Sequence, residues 1–405
     1  MINKIVFSNY KAFQQEQELE LKPITILIGK NSSGKSSISK LIPLFSSAFS
    51  QEISLPILLE DKGIEFGNAY RDLVYRRQAG TPIIFQLEFT NQTFNIEITP
   101  ILERNFDKPV ITKWSYSDSQ NSISFYSTGT PSEYKNDNGE FFTCEFSGLI
   151  PISIVNKDEV NILEDLGITF PKIKENYIGP FRELPPRVFK LSGKMNFSQL
   201  GMKGENAYQI LGNSKVTGNP LLKNVSDLFE KYFDGWAFDI DDETYKPFMA
   251  PIIKKKLKDS TFDINIADVG EGISQVLPII VRASMDLKNT ITVLEQPELH
   301  LHPAAHGDIA ELIANTVTKK ENLNAKFLIE THSENFILRL RKLIVDEKHL
   351  LNEKDVIIYW IDTDDDDYCL EPITINKEGK LSDWPEGIFK EGLKDLLKIN
   401  ELLQN

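Results

Sequence analysis

Cysteine is nearly absent from this sequence of 405 residues. The two cysteines, Cys144 and Cys369, lie 225 positions apart. Two thiols cannot build the disulfide framework of a small secreted domain, and they cannot supply a cysteine-rich zinc site. The low cysteine content is typical of a protein of the reducing cytoplasm, which is the location that we expect.

Long hydrophobic runs are also missing. Apolar stretches such as VLPIIV at 276–281 are far shorter than the roughly 18–20 residues that a membrane-spanning helix needs. The first residues, MINKIVFSNYKAF, lack the apolar core of a signal peptide. We therefore expect a soluble chain without a membrane partner, and its length favours two or three domains.

Basic residues are fewer than acidic residues in this sequence. The chain has 45 Lys and Arg against 59 Asp and Glu, which gives a net charge of −14 and a pI near 5.0. This balance argues against a protein that coats DNA through bulk charge, but a local basic groove for DNA stays open. The basic clusters available for such a groove are Arg76 and Arg77, Arg182 and Arg187, Lys254 to Lys258, and Arg339, Arg341 and Lys342.

The hydrophobic pattern changes along the chain. It predicts strands at 3–8 and 16–28, followed by a helix at about 36–49. Alternating residues from about 81 to 154 predict a β-rich region that begins with a hairpin. From Asp268 onward, alternating helices and strands predict a largely parallel sheet, hence an α/β fold. These later elements are a helix at 272–287, a strand at 291–295, a helix at 303–318, a strand at 325–330, a helix at 333–346 and a strand at 355–361.

Residues 29–36, GKNSSGKS, fit the phosphate-loop pattern G-x-x-x-x-G-K-[ST]. Gly29 and Gly34 let the backbone bend so that its amides point at phosphate oxygens. In this pattern Lys35 reaches the β- and γ-phosphates, and Ser36 ligates Mg²⁺. An apolar strand leads in and a helix leads out, so the helix N-terminus adds partial positive charge. We therefore expect a nucleotide with β- and γ-phosphates and Mg²⁺ as the ligands.

A second apolar strand ends in EQPELHLHP at 295–303. Glu295 is the candidate for the carboxylate that holds Mg²⁺ through water. Gln296 follows where a water-activating glutamate is frequent, and an amide cannot accept a full proton. Two alternatives stay open, namely that Gln296 orients the water or that Glu298 acts as the base. The nearby His300, His302 and His306 raise a metal site as a further alternative, but we prefer loop and helix-capping roles for them.

Two further segments carry ligand signals. DVGEGISQVLPII at 268–280 places two glycines before a helix, as a second anion site would. FLIETHSEN at 327–335 reads as a strand whose end carries Glu330, Thr331, His332 and Ser333. Ligands bind at this edge of a parallel sheet, so we expect His332 to hydrogen-bond a γ-phosphate. Ordinary capped helix starts are the alternative for both segments.

The order of these motifs resembles that of ABC-type AAA ATPase heads of the RecF, OLD and SMC-like families. Their N-terminal segment is similar to IVFSNYKAF…LKPITILIGKNSSGKSSI of this chain. Their signature motif, in a degenerate form, is similar to DVGEGISQVLPII. Their late motifs are similar to LEQPELHLHP and IETHSENFILRLRK. NYIGPFRELPPRVF, GMKGENA and GKLSDWPEGIF (379–389) resemble a bacterial subgroup with a short C-terminal domain of unknown function. The resemblance is weakest over residues 80–170.

The resemblance implies a P-loop ABC-ATPase head with a mostly parallel sheet, an N-terminal antiparallel β subdomain and a mixed α/β insertion. The insertion separates the P-loop from the signature. The expected segments are the N-terminal part of the head at 1–50, a β-rich lobe at 51–175, a mixed helical insertion at 176–260, the C-terminal part of the head at 261–350 and a short C-terminal domain at 351–405.

The resemblance also assigns site residues. The catalytic set that it implies is Lys35, Glu295, Gln296, Glu298 and His332, with Ser36 and Glu295 at the metal. The phosphate loop matches at Gly29, Asn31, Ser32, Ser33, Gly34, Lys35, Ser36 and Ser37. The signature, which touches the γ-phosphate from a second subunit, matches at Gly270, Glu271, Gly272 and Ser274, although Gly270 stands where serine is usual. For the Q-loop glutamine, Gln78 and Gln86 are both candidates.

The function that the resemblance implies is an ATP-hydrolysing switch. ATP would close two heads into a homodimer or higher oligomer, and hydrolysis would open it to control a separate effector, in phage defence or DNA repair. The alternative is an ATP-locked scaffold with little turnover, because Gln296 replaces the usual glutamate. Only 73 residues follow His332, so we expect no Toprim nuclease domain. We read the acidic run Asp364–Asp367 as an exposed hairpin turn.

Overall fold

The computed structural model describes the chain except for residues 79, 104–105, 198, 258–259, 365–366, 384–397 and 399–405. Most of the segment that carries the C-terminal resemblance, from residue 384 to 389, therefore lies outside the described residues. No helix in the described part of the chain is long and apolar enough to cross a membrane.

The N-terminal segment contributes strands to two different sheets. Its elements are β1 (Ile2–Ser8), β2 (Gln17–Glu20), β3 (Ile24–Gly29), α1 (Lys35–Ser39), α2 (Leu41–Ala48) and the short strands β4 (Glu60–Asp61) and β5 (Ile64–Glu65). The single strand predicted at 16–28 is wrong, because Pro23 separates β2 from β3 and a proline cannot donate to a sheet ladder. The helix predicted at 36–49 is divided at Lys40, since Pro43 cannot continue the hydrogen bonding of α1.

The next seven strands form the antiparallel region that the alternating pattern predicts. They are β6 (Ile83–Phe89), β7 (Gln92–Glu103), β8 (Phe106–Asp118), β9 (Ser122–Ser127), β10 (Glu133–Lys135), β11 (Phe141–Ser147) and β12 (Ile150–Asn156). The predicted hairpin is confirmed, since β6 pairs antiparallel with β7. With β1 and β2 these strands make a nine-stranded sheet.

The middle of the chain mixes helices and strands. Its elements are β13 (Lys174–Ile178), α3 (Ala207–Thr217), α4 (Leu221–Tyr232), β14 (Trp236–Asp241), β15 (Ala250–Lys256) and β16 (Thr261–Asn265). The last three strands form a small antiparallel sheet, whereas β13 joins the central sheet.

The C-terminal half alternates helices and strands, as its pattern predicts. Its elements are α5 (Glu271–Ser284), β17 (Thr290–Glu295), α6 (Pro303–Val317), β18 (Lys326–Glu330), α7 (Glu334–Val345), β19 (Val356–Asp364) and β20 (Asp367–Ile373). The last two strands pair antiparallel from Ile358↔Ile373 to Asp364↔Asp367, so the predicted acidic hairpin is present, and its turn residues 365–366 lie outside the described residues.

The central sheet has the strand order β13-β17-β18-β3-β19-β20, and all pairs except the last are parallel. Alternate residues of its strands face two cores. Leu27 packs with the antiparallel sheet and α2, whereas Ile26 and Ile28 pack with helices α3 to α7. Every residue of β3 and β17 is buried. The architecture is thus a mixed α/β fold with a parallel sheet between an antiparallel sheet and a helical layer.

Candidate functional site

Three neighbouring parallel strands end at one edge of the central sheet. Glu295 at the end of β17 lies directly opposite Glu330 at the end of β18, and Glu330 lies opposite Leu27, two residues before β3 ends. Parallel strands bring their carboxyl ends together, and ligands bind at that edge. The sheet order therefore places the phosphate-loop segment, Glu295 and the His332 segment side by side.

The loop from Gly29 to Gly34 has a backbone that needs glycine at both ends. A Cβ at Gly29 would approach Ser33 Oγ to 2.7 Å and the Ile361 carbonyl oxygen to 2.8 Å. Gly34 has φ +93°, a left-handed conformation that non-glycine residues rarely adopt. Ser33 Oγ is buried and has no hydrogen-bond partner in the described structure. The loop is a closed turn with one free buried hydroxyl.

Lys35 begins α1, and its side chain folds back over the loop. Its ammonium donates to the carbonyl oxygens of Gly29 at 3.0 Å and Lys30 at 2.6 Å. Burial lowers the pKa of Lys35, and the nearby Glu330 carboxylate opposes this shift. The cation is therefore fixed inside the loop and opposite the acidic strand ends. Asn31 and Ser32 are exposed at the tip, and Ser37 lies on α1.

Two serines of α1 contact the two acidic strand ends. Ser36 Oγ donates to Glu330 Oε2 at 2.8 Å, and the Ser39 hydroxyl donates to a carboxylate oxygen of Glu295. Glu295 and Glu330 are both 4% exposed. The two contacts thus bring Ser36 and Glu295 close together. Glu330 is a third residue there whose side chain has an oxygen that could ligate a metal ion. The sequence analysis missed Glu330 as a site residue, although its place at a strand end was visible.

The buried carboxylate of Glu330 is affected by its surroundings. Burial, followed by repulsion from Glu295, raises the pKa of Glu330 to about 7. Tyr177 on β13 hydrogen-bonds Glu295, and burial together with that carboxylate raises the pKa of Tyr177. Such oxygen groups at a buried, acidic edge are those that a hard cation such as Mg²⁺ prefers. Among the described residues, no three His, Cys, Asp or Glu side chains form a metal cluster of their own.

Beyond β17 the chain turns sharply through Gln296 and Glu298. Gln296 has φ +44°, and its amide donates to the Glu330 carbonyl oxygen at 2.8 Å. Glu298 Oε1 accepts the backbone amide of His332 at 2.7 Å. Glu298 Oε2 is buried and unpartnered in the described structure, so this carboxylate keeps a free acceptor at the site. Burial, and then Lys35, lowers the pKa of His332, which favours the neutral imidazole.

The side chain of Arg182, a residue that follows β13, reaches the end of β17. It is 6% exposed, so it is not available to the exposed basic groove suggested above. Its Nη2 donates to the carbonyl oxygens of Glu295 and Gln296. The sequence analysis missed this role, because only the fold brings residue 182 to the end of β17.

In each predicted basic cluster one residue forms an ion pair. Arg187 pairs with Asp268 at 2.5 Å, and Arg77 pairs with Asp72 at 3.0 Å. Arg339 pairs with Asp308 and Glu311, and Lys254 with Asp239. Lys258 lies outside the described residues.

The three histidines near Glu298 have separate structural contacts. His302 caps α6 by accepting the Ala304 amide, and His306 hydrogen-bonds Ser333 Oγ at 2.8 Å. His300 lies 3.5 Å from a carboxylate oxygen of Glu271. These contacts agree with the preferred interpretation of loop and capping histidines.

The glycine-rich turn lies at the start of α5. No hydrogen bond or ion pair joins Gly270, Glu271, Gly272 or Ser274 to residues 29–37 in the described structure. Gly270 and Glu271 are exposed, and Ser274 is buried, where its Oγ donates to the Glu271 carbonyl oxygen. A Cβ at Gly272 would lie 2.8 Å from the His300 carbonyl oxygen, so this turn packs against the loop after β17.

Neither Q-loop candidate makes a side-chain hydrogen bond to the phosphate loop within the described part of the chain. The Gln78 side chain accepts from Thr81 Oγ1 at 3.5 Å. Gln86 lies on β6, where its amide donates to Glu88 at 2.8 Å. Neither contact favours one candidate over the other.

Comparison with protein families gives three matches. A family model described as "AAA ATPase domain" matches residues 1–211. A model described as "AAA domain, putative AbiEii toxin, Type IV TA system" matches residues 187–339. One described as "Protein of unknown function (DUF3696)" matches residues 351–399. No curated protein matches the chain.

Two of the solved structures that match the chain are heads of SMC proteins. An SMC head bound to the C-winged helix domain of ScpA is 13% identical, with 93% of this chain and 98% of that chain covered and a TM-score of 0.45. The SMC head domain from Thermotoga maritima is 12% identical, with 92% and 98% covered and a TM-score of 0.41.

Proposed function

This chain belongs to the AAA ATPase domain family, whose general activity is the binding and hydrolysis of ATP, and we propose that it is an ATP-driven switch. In this proposal ATP closes two heads into a dimer, and hydrolysis reopens it. The placement in the RecF/OLD-like branch, the separate effector and a role in phage defence or DNA repair are parts of the same proposal. They rest on the motif resemblance alone.

One observation carries the proposal. The ammonium of Lys35, the hydroxyl of Ser36 and the carboxylates of Glu295 and Glu330 converge where three parallel strands end. Positive charge thus lies on the loop side and acidic oxygens on the strand side, as a nucleotide triphosphate with a cation requires. The free buried hydroxyl of Ser33 adds a donor inside the loop.

The residues fit Mg²⁺ as the cofactor. This ion usually takes one or two carboxylates, a hydroxyl, waters and substrate phosphates rather than an all-protein cage. Ser36 and Glu295 would hold it, and Glu330 lies close enough to Ser36 to orient that hydroxyl. Bound Mg²⁺ would neutralise charge on the phosphate oxygens.

The hydrolytic step is assigned to the turn after β17. Glu298 keeps an unpartnered buried oxygen and is fixed by the His332 amide, so we assign it the proton of the attacking water. Gln296 would orient that water, as a glutamine does in some GTPases. The lowered pKa of His332 favours a neutral imidazole, which can donate one hydrogen bond to a γ-phosphate oxygen.

The start of α5 is the proposed contact with a second subunit. Gly270 and Glu271 are exposed, and a Cβ at Gly270 would meet nothing within 4 Å in the described structure. An open glycine before a helix N-terminus suits close approach by an anionic group of another molecule. A γ-phosphate held from two sides makes closure depend on ATP rather than ADP.

The test removes the Lys35 ammonium. Lys35→Ala should abolish saturable ATP binding or turnover, and ATP-dependent dimerisation with it. Lys348→Ala, which removes an exposed lysine after α7, is the matched control and should behave like the wild type. Wild-type affinity and turnover in Lys35→Ala would contradict the assignment.

A second candidate is a non-hydrolysing ATP-locked scaffold, which Gln296 favours. Phosphate release by the wild type and by Gln296→Glu distinguishes the two candidates. Tight ATP binding with negligible wild-type turnover would support the scaffold. Sustained turnover by the wild type would support the switch.

A further inference from the structure

Arg182 holds the end of β17 with one nitrogen. Its Nη2 donates to the Glu295 carbonyl oxygen at 2.8 Å and to the Gln296 carbonyl oxygen at 3.1 Å. Hydrogen bonds from a charged donor are roughly twice as strong as neutral ones. A side chain that follows β13 thus fixes two consecutive carbonyl groups at the point where the hydrolytic residues begin.

The backbone that Arg182 holds is in an unfavourable conformation. Gln296 has φ +44°, in the left-handed region that costs a non-glycine residue energy. Its amide is held on the other side by the Glu330 carbonyl oxygen at 2.8 Å. The conformation persists because both backbone polar groups of this residue are fixed, the amide by β18 and the carbonyl oxygen by Arg182.

Arg182 and Glu298, the carboxylate assigned as the base, both have buried polar atoms without partners among the described residues. Arg182 Nε and Nη1 and Glu298 Oε2 are all buried without hydrogen-bond partners in the described structure. Buried polar atoms of this kind are normally satisfied, so both side chains keep unused hydrogen-bonding capacity.

The backbone of Arg182 extends the connection to α5. Its carbonyl oxygen accepts from Gln275 Nε2 at 3.4 Å. Gln275 directly follows Ser274, so this contact lies about one helical turn after the exposed Glu271. One residue therefore touches both the start of α5 and the end of β17.

We propose that Arg182 is a positioning residue for ATP hydrolysis, which holds Gln296 and Glu298 in working geometry and couples them to the start of α5. The inference rests on the proposed function and adds a residue to it. Arg182 acts through the backbone of Glu295 and Gln296, so its loss should affect the chemical step more than ATP binding.

The experiment compares full-length wild type, Arg182→Ala, Arg182→Lys and Arg282→Ala. We expect kcat of Arg182→Ala to fall roughly 10- to 100-fold, because a small misplacement of reacting groups causes losses of this size. KM for ATP should change little. Arg182→Lys should recover only part of kcat, because an ammonium lacks the planar fork of a guanidinium. Guanidinium ion added to Arg182→Ala should restore part of kcat.

Arg282 is the matched control because it is also a buried guanidinium bound to β17. It is 3% exposed and donates to Thr292 Oγ1 at 3.1 Å, three residues before Glu295 on the same strand. Arg282→Ala should lower the melting temperature but keep kcat per folded molecule. Equal losses of kcat per folded molecule in both alanine variants would overturn the proposal, since they would mean a general structural role.

Amide hydrogen exchange separates this inference from the proposed function. Exchange of the Gln296 amide, measured without nucleotide, should be faster in Arg182→Ala than in the wild type and unchanged in Arg282→Ala. If the wild type hydrolyses no ATP, the proposed switch fails, and unchanged exchange at Gln296 would also overturn the role of Arg182. Wild-type turnover that Arg182→Ala fully retains would overturn the inference alone.

Discussion

Ser36 Oγ donates a hydrogen bond of 2.8 Å to Glu330 Oε2, although the two residues are 294 positions apart. The bond joins the first turn of α1 to the end of β18, on the strand between β17 and β3. The hydroxyl assigned to Mg²⁺ is therefore oriented by a carboxylate that the phosphate-loop pattern does not contain.

The first prediction concerns this carboxylate. Glu330→Gln should raise the Mg²⁺ concentration needed for half-maximal ATP turnover about 10-fold or more, because groups that orient metal ligands typically have effects of this size. ATP binding without Mg²⁺ should stay near the wild-type value. Magnesium titrations of turnover check this, with Glu334→Gln on the exposed start of α7 as the control. An unchanged magnesium dependence in Glu330→Gln would remove Glu330 from the site.

The second prediction concerns the proton acceptor. Glu298→Gln should lower kcat by about 10²- to 10⁴-fold, the usual contribution of a general base, with little loss of ATP affinity. Single-turnover phosphate release and equilibrium ATP binding measure the two effects separately. Glu321→Gln changes an exposed carboxylate far along the chain and should leave kcat as it is. If Glu298→Gln hydrolysed ATP as fast as the wild type, Glu298 would not be the proton acceptor. Gln296, as the water-orienting residue, would then be the remaining candidate.

The third prediction concerns the loop backbone. Gly29→Ala should lose ATP binding and lower the melting temperature, because its Cβ would lie 2.7 Å from Ser33 Oγ and 2.8 Å from the Ile361 carbonyl oxygen. Gly270→Ala serves as a comparison for melting temperature alone, since its Cβ would meet nothing within 4 Å in the described structure. Thermal unfolding and ATP titration provide the measurements. A stable Gly29→Ala variant that bound ATP normally would contradict the observed loop.

The fourth prediction concerns pH and Lys326. Burial lowers the pKa of Lys326 to about 8, and its ammonium donates to the Ile2 carbonyl oxygen and to Asn3 Oδ1 at 2.9 Å. Between about pH 8 and pH 10.5 the unfolded chain binds more protons at this lysine than the folded chain does. The contribution of Lys326 to the free energy of unfolding should therefore rise with pH over this range.

Urea denaturation of the wild type and Lys326→Met over that range checks this sign. The free energy of unfolding of the wild type should rise relative to that of the variant. Two curves that stay parallel would show that Lys326 keeps its ordinary pKa in the folded protein.

Much of the fold and part of the site were predictable from local pattern. The strand–loop–helix around GKNSSGKS and the alternating elements after Asp268 are in the structure, because apolar runs and glycine spacing are local properties of the chain. The strand predicted at 16–28 and the helix predicted at 36–49 are each interrupted, at Pro23 and near Pro43. A proline lacks the backbone N–H that a continuous strand or helix needs at that position. The segment boundaries and the site roles stay predictions.

The sequence by itself determined the phosphate loop, the acidic strand and the histidine segment, because each is a short run whose chemistry depends on adjacent residues. Only the tertiary structure decided that Glu330 accepts from Ser36 and that Arg182 holds the Glu295 and Gln296 carbonyl groups. The physical reason is the strand order β13-β17-β18-β3. Hydrogen bonds and charge interactions act over a few ångströms, and parallel pairing of strands distant in the chain brings these groups within that range.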